Sequence, residues 1–258
     1  MKLLFDHRMI KHINENSIAE RGYTPRLMLF AERIFQSPVF VVLLGVFEKV
    51  VSTMLNLPIP FFRGLVYVWV THSRGLPKFF GNYLRALYYR PQLGGMEPNV
   101  FIDQGVFFAF PAGVHLSEFS FIDKNVIIMS KTARVGRRVH IAPNVFVSGG
   151  GDFEIGDYAC IATNSNIITS TEVLKDGARC SGPMVSAEQR NVLRGLVKIE
   201  KDAFVGANVT ILPNVTIKLG SVAGAGVTIA RDTQEWGIYA LPLASMIADR
   251  QPVIHGDD

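Results

Sequence analysis

The chain of 258 residues holds only two cysteines, Cys160 and Cys180, too few for a disulfide framework or a spaced metal set. A reducing cytoplasm is the compartment this suggests. No uncharged run approaches the roughly 20 residues a bilayer-crossing helix needs. Ile34–Phe47 stops at Glu48 and Lys49, and Val50–Phe62 carries two prolines. The start, MKLLFDHRMIKHINEN, meets charge too early for the apolar region of a secretory signal. Formal net charge is only +4, and no basic-aromatic groove motif accompanies it, which argues against nucleic acid. Acidic residues are missing altogether between Glu48 and Glu97.

The most regular stretch runs from Ile199 to Ile229. Ile199, Val205, Ile211, Ile217, Ala223 and Ile229 recur at every sixth position. A second register lies two residues earlier, at Ala203, Val209, Val215 and Val227, with Ser221 as its polar member. Period six is neither helical nor a two-residue strand alternation. It marks a solenoid in which each hexad forms one flat side of a triangular coil. A βαβ domain with accidental spacing is the alternative, disfavoured because the six consecutive matches leave no gap long enough for a crossover helix. The beat begins upstream at Leu116, Ile122 and Ile128, slips by one residue to Val135, Ile141 and Val147, and follows Gly149-Gly150-Gly151 with Ile155, Ile161 and Ile167. Fifteen hexads predict five turns. The beat lapses over Ile168–Lys198, the position of an excursion from the coils.

These features predict two parts: residues 1–95, helical, and residues 96–258, a solenoid with an excursion at 168–198 and a carboxy-terminal cap. The open ends of the coils need covering. The amino-terminal helices and a short final helix within Ala240–Arg250 are the available caps. Within residues 26–90, Lys49, Arg63, Arg74, Lys78, Arg85 and Arg90 are interleaved with nine aromatics after Phe47. Apolar helices with cationic flanks and Trp or Tyr are suited to a membrane surface. A helical cap packed on the solenoid end or in an oligomer interface is the alternative, and the two are compatible.

The stretch VKIEKDAFVGANVTILPNVTIKLGSVAGAGVTIARD, residues 197–232, closely resembles the terminal coils of the hexapeptide-repeat acyltransferases. The segment VHIAPNVFVSGGGDFEIGDYACIATNSNIITSTE and the following GPMVSAEQRNVLRG are similar to the branch that acylates amino sugars or hydroxyls in surface-polysaccharide synthesis. The resemblance covers roughly residues 80–250 and includes GNYLRALYYR ahead of the coils. It implies a mainly β fold, a left-handed parallel β-helix, working as a homotrimer. Left-handedness comes from the resemblance alone, since parallel crossovers otherwise favour the right hand. The implied activity is transfer of an acyl group, acetyl in the simplest case, from CoA to an amino or hydroxyl group of a sugar. The sugar would be nucleotide-linked or lipid-linked and destined for lipopolysaccharide, O-antigen or capsule. Localisation would be cytoplasmic, with residues 26–90 peripheral at the inner face of the cytoplasmic membrane. A non-catalytic trimeric scaffold is the alternative function.

Acyl transfer needs a proton acceptor and donors for a developing oxyanion. His140 precedes inward Ile141, so its side chain points out of the coil, and it falls where related sugar N-acyltransferases place a histidine. Glu172 stands at the family's acidic position. These two are the catalytic candidates, with Asn164 and Ser170 as sugar-binding groups at the same edge. Gly206, Ala207, Gly224, Ala225 and Gly226 occupy corners whose amides could meet acyl-CoA. No metal is expected, because only His115 and His140 fall within the coils. Two departures from the family stand out. Leu241-Pro242-Leu243-Ala244 replaces its terminal Gly-Asn-Pro-Ala turn, and the excursion has no histidine.

Overall fold

The computed structural model describes residues 3–21, 26–72, 78–180, 182 and 184–241. Five helices lead the chain: α1 (His7–Arg21), α2 (Arg26–Gln36), α3 (Pro38–Leu55), α4 (Pro60–His72) and α5 (Lys78–Tyr89). A left-handed parallel β-helix follows, with strands of two to four residues stacked into three sheets of six, seven and six strands. We call these faces A, B and C. Successive strands visit A, B and C in turn, so each strand pairs in parallel with the equivalent strand one coil away.

All fifteen hexad residues point inward, and none is more than 6% exposed. The second register is buried with them. Burying each such aliphatic side chain stabilises by about 1.5–3 kcal/mol, and the bore leaves no room for anything else. Buried Ser221 is satisfied by the Thr233 hydroxyl at 2.8 Å, and buried Ser165 donates to the Gly206 carbonyl at 2.8 Å.

The coil number differs from the five expected. Six complete coils are present, plus a last strand, Ile238–Tyr239, on face B. Ile102 and Phe108 already carry the beat in an earlier coil. The 3-10 turn Pro111–Gly113 then stretches the next interval to Leu116 and hides it. The excursion is also narrower than Ile168–Lys198, because Ile168 and Leu196 still pair within the coils. What leaves is a hairpin at the corner between faces C and A, with Ser170–Glu172 antiparallel to Val192–Arg194. The Gly195 amide donates to the Thr169 carbonyl at its neck. The expected final helix within Ala240–Arg250 lies outside the described residues beyond Leu241.

Corners are made by residues in the left-handed region. At the B–C corner these are Gly105, Asn125, Asn144, Asn164, Asn208 and Gly226. Asparagine tolerates this conformation, and its amide bridges coils. Asn125 Nδ2 donates to Asn144 Oδ1 at 3.2 Å, and Asn144 Nδ2 to Asn164 Oδ1 at 3.1 Å.

The helices close the first coil, as a cap should. Val66, Val70, Tyr88 and Tyr89 join the core of the solenoid without a break. Buried Arg85 donates to the Ile102 carbonyl at 2.8 Å and to Asp103 at 3.2 Å, and Tyr89 to the Val106 carbonyl at 2.7 Å. Helix α3 is long and apolar enough to cross a membrane by length and composition, though only 11% of it is buried. A sequence-only search for 20-residue runs passes over it, because Glu48 and Lys49 interrupt the apolar stretch.

Glu48 is itself buried. It accepts the Leu4 amide at 3.1 Å and the Tyr83 hydroxyl at 3.0 Å, and Arg90 lies 3.6 Å away. It thereby ties the irregular amino-terminal segment ahead of α1 to α3 and α5. Desolvation pushes its carboxyl above the ordinary range, outweighing the opposing pull of Tyr83, Leu4 and Arg90. The folded chain therefore holds this proton more tightly than the unfolded chain. That contribution is complete below the unfolded carboxyl pKa of about 4.3 and is lost as pH rises through the raised value. Glu48→Gln keeps an acceptor without the charge. It should be at least as stable as the parent at pH 7 and show a flatter stability profile between pH 4 and 7 in urea unfolding. A loss above about 1 kcal/mol at pH 7 would mean the Arg90 attraction outweighs burial.

Candidate functional site

His140 lies on face B in an outward column running Phe101, Phe121, His140, Cys160, Phe204, Val222 and Ile238. Its imidazole stacks on the Phe121 ring, with centroids 5.3 Å apart and planes at 15°. Nε2 lies 3.4 Å from Asp123 Oδ2. Asp123 is oriented in turn by the Lys124 amide, which donates to Oδ1 at 2.7 Å. A neutral imidazole donating Nε2–H to Asp123 keeps the lone pair of Nδ1 for an incoming proton. His140 thus has a fixed ring plane, a carboxylate partner and a half-exposed edge.

Asp123 was absent from the residues nominated by sequence. The coil register could have supplied it: Phe121 pairs with His140, which sets Asp123 level with Ala142 one coil on. The small side chain of Ala142 leaves the carboxylate room to reach the ring. Cys160 sits directly over His140 in the next coil, but burial raises its thiol pKa, which disfavours the thiolate.

Glu172 lies elsewhere, at the exposed end of the hairpin strand that leaves face C. Ser170 begins the same strand and closes against Gly149, where any side chain would collide with it. The solenoid therefore holds His140 and Glu172 on different faces of one subunit. Asn164 belongs to the corner ladder, with its side-chain oxygen accepting from Asn144 and, at 3.4 Å, from the Thr163 hydroxyl.

The glycine-rich corners behave differently from the expectation of free amides. Gly206 donates to the Ala223 carbonyl at 2.7 Å, Gly224 to Tyr239 at 2.7 Å and Gly226 to Ala207 at 2.9 Å. These three amides are consumed by coil-to-coil pairing. Among the described residues, the amides of Ala207 and Ala225 donate to no such partner, so they are the corner donors left to a ligand. Glycine at 206 has its own reason: an added Cβ would lie 2.7 Å from the Ala225 nitrogen.

Two larger clefts hold none of the nominated residues. One, of about 650 Å³, lies beside the segment leading into α1 and includes Asp6, Arg8, Glu97, Glu118 and Arg137. The other, of about 460 Å³, runs along face A past Arg134, Glu154, Lys198 and Glu200. Their cations are paired, Arg8 with Asp6 and Glu118, Arg137 with Asp157, Arg134 with Glu154 and Lys198 with Glu200. Face A is thus a charged, solvent-suited surface, whereas face B presents Phe204 and Ile238 to the outside.

The comparisons with known proteins bear on this geometry. No family model matches the chain. Over 110 residues it is 32% identical to the Escherichia coli dTDP-4-amino-4,6-dideoxy-D-glucose acyltransferase, a match taking in 41% of this chain and 57% of that enzyme. The chain thus spans little more than half the length of the curated relative it matches. Among solved structures it superimposes on AntD, an N-acyltransferase from Bacillus cereus, in complex with dTDP and 3-hydroxybutyryl-CoA. That match has a TM-score of 0.53 and 25% identity over 58% of this chain and 79% of AntD. A variant of AntD with dTDP-4-amino-4,6-dideoxyglucose and coenzyme A gives 0.55 and 25%, over 63% and 87%. The chain is thus similar in sequence to one sugar acyltransferase and in fold to an N-acyltransferase. The resemblance read from residues 139–172 and 197–232 agrees with that relationship.

The corner geometry makes a prediction separate from activity. Gly206→Ala should cost about 1–3 kcal/mol, because the Ala225 backbone must shift. Gly226→Ala has only Leu241 Cδ1 nearby, at 3.7 Å, and should cost about 1–2 kcal/mol from its left-handed conformation alone. Thermal unfolding of both variants tests this, and a Gly206→Ala protein as stable as the parent would contradict the close packing.

Proposed function

We propose that the protein is an acyl-CoA-dependent acyltransferase, and that its acceptor is the amino group of a nucleotide-linked sugar destined for a surface glycan. The observation that carries this reading is the 32% identity to an enzyme named for acylating such a sugar. Superposition on an N-acyltransferase bound to dTDP and an acyl-CoA supports it. The His140–Asp123 pair supplies the chemistry.

In this reaction the neutral amine attacks the thioester carbonyl, forming the C–N bond and placing negative charge on the carbonyl oxygen. Collapse breaks the C–S bond and releases CoA as the thiolate. His140 removes the proton lost by the nitrogen and delivers it to the departing sulfur, while Asp123 holds the ring. The Ala207 and Ala225 amides are the donors we assign to acyl-CoA, in place of the consumed amides of Gly206, Gly224 and Gly226. Glu172 and Ser170 would orient the acceptor, and Asn164 contributes indirectly by keeping its corner in shape. No metal is required by any of these steps.

We further propose a homotrimer. The apolar outward column of face B, including Phe204, Val222 and Ile238, is the surface we assign to contact between copies. Charged face A would remain in solvent. Side-by-side prisms would bring the hairpin of one copy toward His140 of the next, joining groups that a single subunit keeps apart. The enzyme would work in the cytoplasm, with residues 26–90 at the inner face of the membrane.

Release of free CoA from acetyl-CoA or 3-hydroxybutyryl-CoA with dTDP-4-amino-4,6-dideoxyglucose tests the reading. His140→Ala should lower kcat by about 100-fold or more, and Asp123→Asn should lower it by a smaller factor, with the trimer intact by light scattering. A protein that binds no CoA and releases no thiol with any amino sugar would be a scaffold instead.

A further inference from the structure

The helical cap carries a surface that sugar acylation leaves unused. Along α3, Val39, Val42, Leu43, Val46, Phe47 and Val50 form one stripe at helical spacing, each more than half exposed. The opposite side of α3 is fastened through Gly45 and Glu48. On α4, Phe61, Leu65, Val68 and Trp69 form a second exposed stripe, while Val66 and Val70 face the solenoid core. Two exposed apolar stripes of this length mark a docking site.

An apolar cavity of about 290 Å³ adjoins the first stripe. Its walls include Phe5, Phe35, Phe40, Leu44, Phe47 and Phe80. Phe47 belongs both to the stripe and to the wall, and Phe80 is itself 68% exposed. Tyr83 completes the lining, but its hydroxyl is committed to Glu48. Nothing in the cavity rewards a polar ligand.

Charge selects the occupant. Lys49 and Arg63 are exposed on these helices, and among the described residues neither forms an ion pair. The sequence offers no carboxylate from residue 49 to residue 96. The exposed charged residues of α3 and α4 are both cations, which suits anionic headgroups, each nearby cation adding attraction. We propose that α3 and α4 lie on an anionic phospholipid bilayer and that the cavity takes one hydrocarbon chain drawn from it. The helices lie in the surface and do not cross it. Glu48, near the middle of α3, is held by Leu4 and Tyr83, and spanning would strip it of both. This assignment deepens the peripheral placement of residues 26–90 proposed above, and it does not depend on the acyl-transfer chemistry.

The test uses the full chain with vesicles of phosphatidylcholine alone or with one-quarter phosphatidylglycerol. The protein should pellet with the anionic vesicles, be released by alkaline carbonate, and lose at least tenfold in affinity in the Val42→Glu/Val46→Glu variant. In a Trp236→Phe background Trp69 is the remaining tryptophan, and brominated acyl chains should quench it. A phospholipid with a photoactivatable chain should label Phe35, Phe40 or Leu44. Absence of pelleting, resistance to carbonate, or concentration-dependent self-association in place of vesicle binding would overturn the docking. Labelling confined to the exposed stripe would overturn the cavity assignment. Turnover of a soluble sugar acceptor by the same variant reports separately on acyl transfer, which should be unchanged.

Discussion

The bore of the solenoid is the constraint from which the rest follows. Two of every six residues must be apolar and small enough to fill it, and face lengths and corner positions are set once they do. Those buried columns contribute most of the stability through apolar burial. They also hold each outward side chain directly above its counterpart one coil below. A histidine on such a face is placed by the stacking of Ile122, Ile141 and Ile161 behind it, not by a flexible loop.

Stacking of that kind turns one-residue choices into columns with a character. Face A alternates Arg134, Glu154 and Lys198 and suits water. Face B runs through aromatic and aliphatic residues and suits contact. The helical cap uses the same logic at one end, where α5 covers the first coil and Glu48 and Arg85 satisfy the polar groups that closure buries. Its outer surface is left apolar, and that is the part of the molecule whose chemistry points away from sugars.

The hexads were legible because isoleucine and valine fill the bore and repeat without compensation, so every inward residue named from residue 116 onward is buried. The first coil was not, because the turn at Pro111–Gly113 adds two residues to the interval before Leu116. His140 could be placed on an outward face from Ile141 alone. Asp123 could not be paired with it without the coil register, since 17 residues separate them in the chain. Of the five corner residues named from sequence, Gly206, Gly224 and Gly226 use their amides to close the coils, whereas Ala207 and Ala225 keep theirs, a division that only the coil register reveals. The side-chain oxygen of Asn164 joins a ladder at a corner whose left-handed backbone asparagine tolerates, a structural role that its polarity and exposure do not announce in the sequence.

The proposed active site is completed between two copies, with His140 from one and the Glu172 hairpin from the next. Mixing unfolded His140→Ala and Glu172→Ala chains in equal amounts and refolding them tests that directly. In a cyclic trimer about one interface in four would then pair an intact His140 with an intact Glu172, so CoA release should recover to about a quarter of the parent rate from two nearly inactive parents. No recovery at any mixing ratio, with mixed trimers demonstrated by mass spectrometry, would contradict the shared site.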